Sequence, residues 1–319
     1  MKRVLLASTA LMMVAGAAAA DVKFSGYQRF GIKYVEDRDL LPDGTRDTSI
    51  DETEITSRFR LNIDVTTETD QGVKLEARVR MQADEGGTAG LNGARFSAAA
   101  AGLRVDIGNI AGAIDNMPNY YGYEIGLTDF LGQYSGNDYS FDGYSSTGAG
   151  QDGLYARYAF GAWAIAASYS DDDVADEEGS IHIAYSGANW GVALGYADGD
   201  TITTPADPGD GTPANPPVAE VSESDTYTVL TGNYDFGTVD VTAYYGDSKI
   251  TDASYGLSAN IEIGAATSIQ VAWGDGDLDN ADAYGIGFKQ NLGGGAFLRG
   301  GVGKVNDGTT ADLGVRFDF

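Results

Sequence analysis

The chain has 319 residues, a formal charge of −27 and no cysteine. So acidic a polypeptide repels nucleic acid and other phosphate-rich partners unless its charges are segregated. Lacking cysteine, it has no disulfide, no zinc–thiolate centre and no thiol nucleophile.

The first element in chain order is an export signal. Lys2 and Arg3 form a basic start, Val4 to Val14 an apolar core, and Gly16 to Ala20 a run of small residues. The A-x-A pattern predicts a signal peptide over residues 1–20, cleaved so that the mature chain begins at Asp21. Losing the two positive charges of Lys2 and Arg3 takes the formal charge from −27 to −29. The apolar core is too short to span a bilayer as a helix, and no later stretch approaches 18 apolar residues.

From Asp21 onward, segments of about ten residues alternate apolar and polar with the period of a β-strand. The first sets Phe24, Gly26, Phe30, Ile32 and Tyr34 against Lys23, Ser25, Tyr27, Arg29 and Lys33. The second sets Ile55, Phe59, Leu61, Ile63 and Val65 against Thr56, Arg58, Arg60, Asn62 and Asp64. The third sets Val73, Leu75, Ala77, Val79 and Met81 against Lys74, Glu76, Arg78 and Arg80. Strands of a soluble sandwich alternate too; the connections separate the two cases. Seven tight turns, near Asp70, Ala101, Gly161, Gly187, Gly237, Gly264 and Gly293, alternate with eight longer connections, centred near Asp43, Gly86, Tyr123, Asp173, Gly209, Gly246, Asp277 and Asp307. Fifteen connections predict sixteen strands, with both termini on the short-turn side.

Aromatic residues form two bands on this frame. Tyr158, Phe160, Trp163, Tyr185, Trp190, Tyr234 and Phe236 lie beside short turns; Tyr34, Tyr169, Tyr196, Tyr245, Tyr255, Trp273 and Tyr284 lie near long loops. Bands at both strand ends match the interfacial girdles of a membrane barrel. The predicted fold class is therefore all-β: one sixteen-stranded antiparallel transmembrane β-barrel over residues 21–319, with short periplasmic turns and long extracellular loops. Pro205–Pro217 and the acidic run Asp171–Glu178 read as surface loops.

Charge follows the same parity. The strand residues Lys23, Arg29, Lys33, Arg58, Arg60, Lys74, Arg78, Arg80, Arg95, Arg104, Arg157, Lys289, Arg299 and Arg316 all fall on the polar face, and the apolar face is expected to be free of formal charge. A charge facing lipid at the bilayer midplane costs about 2–4 kcal/mol, so such segregation places water inside the barrel. Arg29, Arg58, Arg60, Arg78 and Arg80 come from three consecutive strands and form a basic ladder on one side of the lumen. The connection from Asn109 to Gly153 is too long for an idle loop. It carries Asp115, Glu124, Asp129, Asp138, Asp142 and Asp152 and no lysine or arginine. Folded inward, this third long loop would set its carboxylates opposite the ladder and narrow the lumen; folded outward, it would form a lid or an adhesive surface.

Three segments carry a family resemblance: DVKFSGYQRFG at the mature start, YEIGLTDFLGQYSGND (Tyr123–Asp138) in the long loop, and ADLGVRFDF (Ala311–Phe319) at the end. As an ordered set they resemble the general porins of alphaproteobacteria. The resemblance implies homotrimeric channels of the outer membrane and an inward third loop, with Glu124, Asp129 and Asp138 on the acidic side of the constriction and the arginines on its basic side. It implies calcium on loop carboxylates such as Glu124, Asp129 and Asp138, although no EF-hand-like spacing is present. It also implies that Phe319 signals to the barrel-assembly machinery, and that lipid and lipopolysaccharide surround the barrel. The Pro205–Pro217 insertion departs from the family pattern.

The expected function is passage of small hydrophilic solutes and ions through a water-filled pore; the alternative is an adhesin or structural barrel with a plugged lumen. An enzyme is disfavoured. His182, the one histidine, falls on an inward face near Ser180 and Ser186, but residues two and four apart on a strand do not make a nucleophile–base pair, and no G-x-S-x-G elbow occurs. A glycosidase carboxylate pair has no distinguishing support in so acidic a chain. Gln28, which interrupts the apolar face of the first strand, and the alanine-rich Ser97–Gly102 are candidates for a subunit contact.

Overall fold

A computed structural model of the protein describes residues 20–41, 44–87, 89–137, 139, 144–150, 152–171, 177–204, 221–249, 252–276, 282–305 and 307–319. The signal segment 1–19, the Pro205–Pro217 loop and most of the Asp171–Glu178 run lie outside the described residues.

Sixteen staves close one antiparallel sheet: β1 (Asp21–Val35), β2 (Thr53–Glu68), β3 (Lys74–Asp84), β4 (Gly90–Leu91 and Arg95–Ala100), β5 (Leu103–Gly108), β6 (Asp152–Phe160), β7 (Trp163–Asp171), β8 (Glu178–Ser186), β9 (Trp190–Thr204), β10 (Val221–Asp235), β11 (Val239–Ser248), β12 (Asp252–Gly264), β13 (Thr267–Gly276), β14 (Ala283–Gly293), β15 (Ala296–Val305) and β16 (Gly308–Asp318). Each pairs with its chain neighbours. Closure comes from β1, which pairs with β2 from Asp21↔Thr66 to Tyr34↔Thr53 and with β16 from Tyr27↔Asp318 to Val35↔Thr310. A closed sheet leaves no unpaired edge, as a lipid environment requires. The terminal Phe319 and Gly26 exchange backbone hydrogen bonds of 2.9 and 3.1 Å, which seals the seam between the chain ends.

The turns are of the sort that antiparallel hairpins demand. At the β4–β5 turn Ala101 and Gly102 both have positive φ, 49° and 86°, the left-handed pair whose twist matches that of the flanking strands. One irregularity was not legible in the sequence: β4 breaks at Asn92–Ala94, where a returning stretch of the long loop docks and Gly93 donates to the Gly148 carbonyl at 2.7 Å.

The predicted parity holds on the outer surface. Phe24, Phe30, Ile32, Ile55, Phe96, Ile107, Leu154, Leu194, Leu257 and Leu313 are exposed outward, and so are the aromatics of the two bands, from Tyr158, Phe160 and Trp163 at one end to Tyr169, Tyr196, Tyr245 and Tyr284 at the other. The expectation of a charge-free outer face needs one correction. Asp198 lies two residues past Tyr196, Asp247 two past Tyr245 and Asp275 two past Trp273, each on the outward parity of its strand; Asp152 and Lys304 likewise occupy outward positions at the long-loop end. The ban on charge therefore ends at the upper girdle, because beyond it the side chains meet water and headgroups instead of acyl chains.

Candidate functional site

The loop between β5 and β6 lies inside the barrel. Its opening limb buries Ile110, Ala113, Ile114, Met117, Tyr120, Ile125, Leu127 and Leu131, each 3% exposed or less. Burying one large aliphatic side chain contributes about 1.5–3 kcal/mol, so this apolar edge supplies the driving force for folding inward. The wall receiving it is made of small residues. Ile114 and Met117 pack where a Cβ on Gly195 would stand, Leu127 packs over Gly31 and Gly314, and Ile125 packs over Gly287 and Gly301. At Gly256 an added Cβ would stand 1.7 Å from the Gln133 carbonyl oxygen. Gly256→Ala is accordingly expected to cost about 1–3 kcal/mol or more through overpacking, read as a lower temperature for loss of the folded barrel band on a gel. Gly264→Ala, with nothing within 4 Å, is expected to leave it unchanged.

Polar contacts fix the loop's path around the wall. Ala113 N donates to Ser168 Oγ (2.7 Å) and its carbonyl meets His182 Nδ1 at 2.7 Å, so the one histidine is a buried pin beneath the loop. Thr231 donates to the Pro118 carbonyl (2.6 Å). Gln133, fully buried, accepts from Thr242 (2.6 Å) and Ser258 (3.1 Å) while donating to the Asn119 carbonyl (2.6 Å). Tyr139 stacks on Tyr227 with ring centroids 4.3 Å apart. At the tip, Asp312 accepts from Leu127 N (2.8 Å), Thr128 N (2.7 Å) and Thr128 Oγ1 (2.8 Å).

The predicted basic side divides into three environments. Arg29 is not a bare ladder member: it is buried, donates to the Leu127 carbonyl at 3.2 Å and lies 3.7 Å from Asp129. Arg58 pairs with Asp84, and Arg78 with Asp64 through Nε–Oδ1 (2.5 Å) and Nη2–Oδ2 (3.1 Å). Further round, Arg95 pairs with Glu76 (3.2 Å) and Arg104 with Asp106 (2.8 Å). Arg60 and Arg80 have no carboxylate partner among the described residues. Arg60 Nε donates to Gln82 (2.7 Å) and Arg80 Nε to Asn62 (2.9 Å), while Arg60 lies over the Tyr27 ring and Arg80 over the Tyr144 ring.

On the acidic side, the structure corrects where the counter-charge comes from. Asp129 faces no ladder across open water; it sits among Arg299 (2.6 Å), Arg29 (3.7 Å) and Arg316 (3.9 Å) and clamps the tip to β1, β15 and β16. The other ladder carboxylates belong to the wall itself, because the register sets Asp64 beside Arg78 and Asp84 beside Arg58. Asp115 accepts from the Tyr121 hydroxyl and, at 3.5 Å, from Tyr144 N. Glu124 accepts from the Tyr134 hydroxyl at 2.9 Å. Asp138 and Asp142 lie outside the described residues.

Burial first, and neighbouring Asp129 second, push the Glu124 carboxyl up to about 7. Between pH 6 and 8 it ionises, so the preference for cations is expected to rise over that interval in wild type and to stay flat in Glu124→Gln, as measured by reversal potential in a salt gradient. A carboxyl held above its ordinary value of 4.5 favours the folded state below pH 4.5 and withdraws that contribution as the pH rises through about 7.

Of the three carboxylates named for calcium, Asp138 lies outside the described residues, and Glu124 and Asp129 are already engaged by Tyr134 and by arginines. Calcium takes six to eight oxygens, whereas the oxygens of Asp129 are shared among three guanidinium groups. A second carboxylate group, Asp37, Asp39 and Glu52, has ligand oxygens within 4.8 Å of one another, but Arg46 already bridges them.

A closed barrel with an apolar belt, two aromatic girdles and a charged lumen narrowed by its own loop is a channel of the outer-membrane class. Residues 7–310 match the family model described as Gram-negative porin, and the chain belongs to that family. It is 32% identical over 310 residues to a porin of Fuscovulum blasticum, and 27% identical over 336 residues to a porin of Rhodobacter capsulatus. Each match covers 94% of this chain and 100% of the relative. Among solved structures, a triple mutant of Rhodopseudomonas blastica porin aligns with a TM-score of 0.77 at 28% identity, over 94% of this chain and 100% of that one. The protein is an outer-membrane porin, and its family and fold are those of a channel, not of an enzyme.

Two features of the site were missed in the sequence. Asp312 and Gln133, the principal loop anchors, lie within two of the segments that carry the family resemblance, but nothing in those segments marks them as partners of loop and wall. The small-residue wall did leave a signal, since the inward positions of β7 to β9 include Ala164, Ala166, Ser168, Ser170, Ser180, Ala184, Ala193, Gly195 and Ala197.

Proposed function

We propose that solutes cross at a constriction bounded on one side by the inward loop, with Asp115 and Glu124, and on the other by Arg58, Arg60, Arg78 and Arg80. The observation carrying this reading is that the loop meets Arg60 and Arg80 on the β2–β3 wall only through the neutral Ser146 and Tyr144, leaving the two guanidinium groups without a carboxylate partner among the described residues. Charge on both sides favours a hydrated passage, since dry unpaired arginines would cost several kcal/mol each. Small hydrophilic solutes and ions pass by diffusion; long apolar ones lose water without gaining partners. In this reading Glu124 and Asp129 act without calcium.

The working form is a homotrimer whose contact includes the β1–β5 face, where Gln28 is exposed among apolar neighbours and Ala98 and Ala100 form a smooth patch. Lipid and lipopolysaccharide cover the remaining belt, with Asp152, Asp198 and Asp247 at headgroup level. The mature chain starts at Asp21, the first residue of β1. Phe319, 45% exposed and stacked near Phe59 and Phe317, is the assembly signal.

Reconstitution into a planar bilayer tests the pore. Steady ohmic conductance is expected, whereas its absence would favour the plugged adhesin or structural barrel. An unheated gel should show a species three times the monomer mass, and intact mass should place the N-terminus at Asp21.

A further inference from the structure

Arg60 and Arg80 are unlike their neighbours. Arg29, Arg58, Arg78, Arg95 and Arg104 each meet a carboxylate. Arg60 and Arg80 instead converge on one neutral atom: Ser146 Oγ on the returning limb of the loop accepts from Arg60 Nη2 (3.2 Å) and Arg80 Nη1 (2.8 Å). These two nitrogens are thus no more than about 6 Å apart, where like charges repel. Nothing in the set cancels their charge, in a protein whose formal charge is −27.

The supporting residues hold the pair rigid. Gln82 is buried and orients its amide by donating to Asp84 Oδ2 (2.8 Å), which leaves its oxygen for Arg60 Nε. The Asn62 side-chain oxygen accepts from Arg80 Nε at 2.9 Å. The Tyr27 and Tyr144 rings cover one face of each guanidinium, at 5.1 and 4.5 Å from their centroids. Each Nε is therefore committed, each plane is fixed, and the terminal amino groups point to a common locus held by a hydroxyl. Two planar forks with a net charge of +2 complement a doubly charged oxyanion, and guanidinium is the side chain suited to that geometry.

We propose that Arg60, Arg80 and Ser146 form an oxyanion subsite in the constriction that takes the phosphate group of a diffusing solute, the Ser146 hydroxyl giving way to or joining the phosphate oxygens. The proposal rests on the pore reading above and names a solute class for it. It makes the passage of phosphates saturable, where neutral solutes of the same size pass in proportion to concentration.

The test is single-channel current in potassium chloride, with inorganic phosphate, glucose 6-phosphate or glucose added to one side. Both phosphates are expected to reduce the current saturably and glucose is not; a response to inorganic phosphate alone would confine the subsite to the free ion. Arg60→Gln and Arg80→Gln should each weaken the half-blocking concentration about tenfold, the equivalent of one charge-assisted hydrogen bond, while Lys304→Gln at the outer rim leaves it unchanged. A wild-type channel that conducts but shows no saturable phosphate effect, or one equal to that of glucose, overturns the subsite without recourse to any variant. Phosphate block retained in a conducting double variant overturns it as well. A barrel that carries no current would instead overturn the pore itself.

Discussion

Replacing Asp129 and Asp312 together by asparagine is expected to raise the single-channel conductance and to lower the stability of the folded barrel. Asp129 is the carboxylate shared by Arg29, Arg299 and Arg316, and the side chains of the first two are 8% and 9% exposed. Removing one partner of a buried ion pair costs about 3–5 kcal/mol, because a desolvated charge is left unpaired. Asp312 contributes separately, through two backbone amides and a hydroxyl at the loop tip, and hydrogen bonds to a charged group are worth about 1.5–3 kcal/mol each. The strand ladder is untouched by either change. The barrel should therefore persist while the tip detaches, with the size limit for neutral sugars moving upward in a liposome-swelling assay. An unchanged conductance and size limit would mean that the tip does not bound the passage.

Inverting charge at Arg60 and Arg80 to glutamate is expected to turn the channel strongly toward cations. A unit charge a few ångströms from a passing ion is worth about 1 kcal/mol even in water, and more beside a low-dielectric wall. Neutralising the two guanidinium groups should thus change the cation-to-anion permeability ratio by about five- to thirty-fold, and inversion should exceed that. The effect should weaken as salt rises and the screening length falls to about 3 Å at 1 M. Arg78 and Arg58, whose charges are cancelled by Asp64 and Asp84, should give smaller shifts when replaced by glutamine. Equal shifts at all four positions would contradict the division of the ladder into paired and unpaired members.

The barrel was legible because its physics is periodic. Lipid on one side and water on the other impose a two-residue alternation, and Phe24, Ile32, Ile55 and Leu75 displayed it against Lys23, Arg29, Arg58 and Lys74. Turn and loop lengths then counted the strands. The site was half legible. That the long loop carries acids was plain from its composition and its inward position was implied by the family resemblance, but Asp129 turned out to clamp a buried arginine cluster, and Arg29 left the ladder to join it. Such pairings depend on which strand lies beside which and at what register. Asp64 and Arg78 are 14 residues apart in the chain yet direct partners in the sheet, a relation that parity alone does not reveal. Asp312 and Arg299 lie more than a hundred residues from the loop they hold, and strand parity, which puts Arg299 in the lumen, does not name its partner.

The seat of the loop tip inside the lumen is the claim on which the constriction depends, and the absence of cysteine from the chain allows a direct test of it. Thr128 Oγ1 and Asp312 Oδ2 are 2.8 Å apart; in Thr128→Cys/Asp312→Cys one sulfur takes the place of the threonine hydroxyl oxygen and the other that of the aspartate carboxyl carbon, one bond back from Oδ2. A disulfide is expected to form in the assembled barrel without added catalyst, to hold the conductance near that of wild type, and to give a larger conductance once reduced. Failure of the pair to oxidise, or a conductance indifferent to reduction of the bond, would contradict a loop tip seated on β16 and bounding the pore.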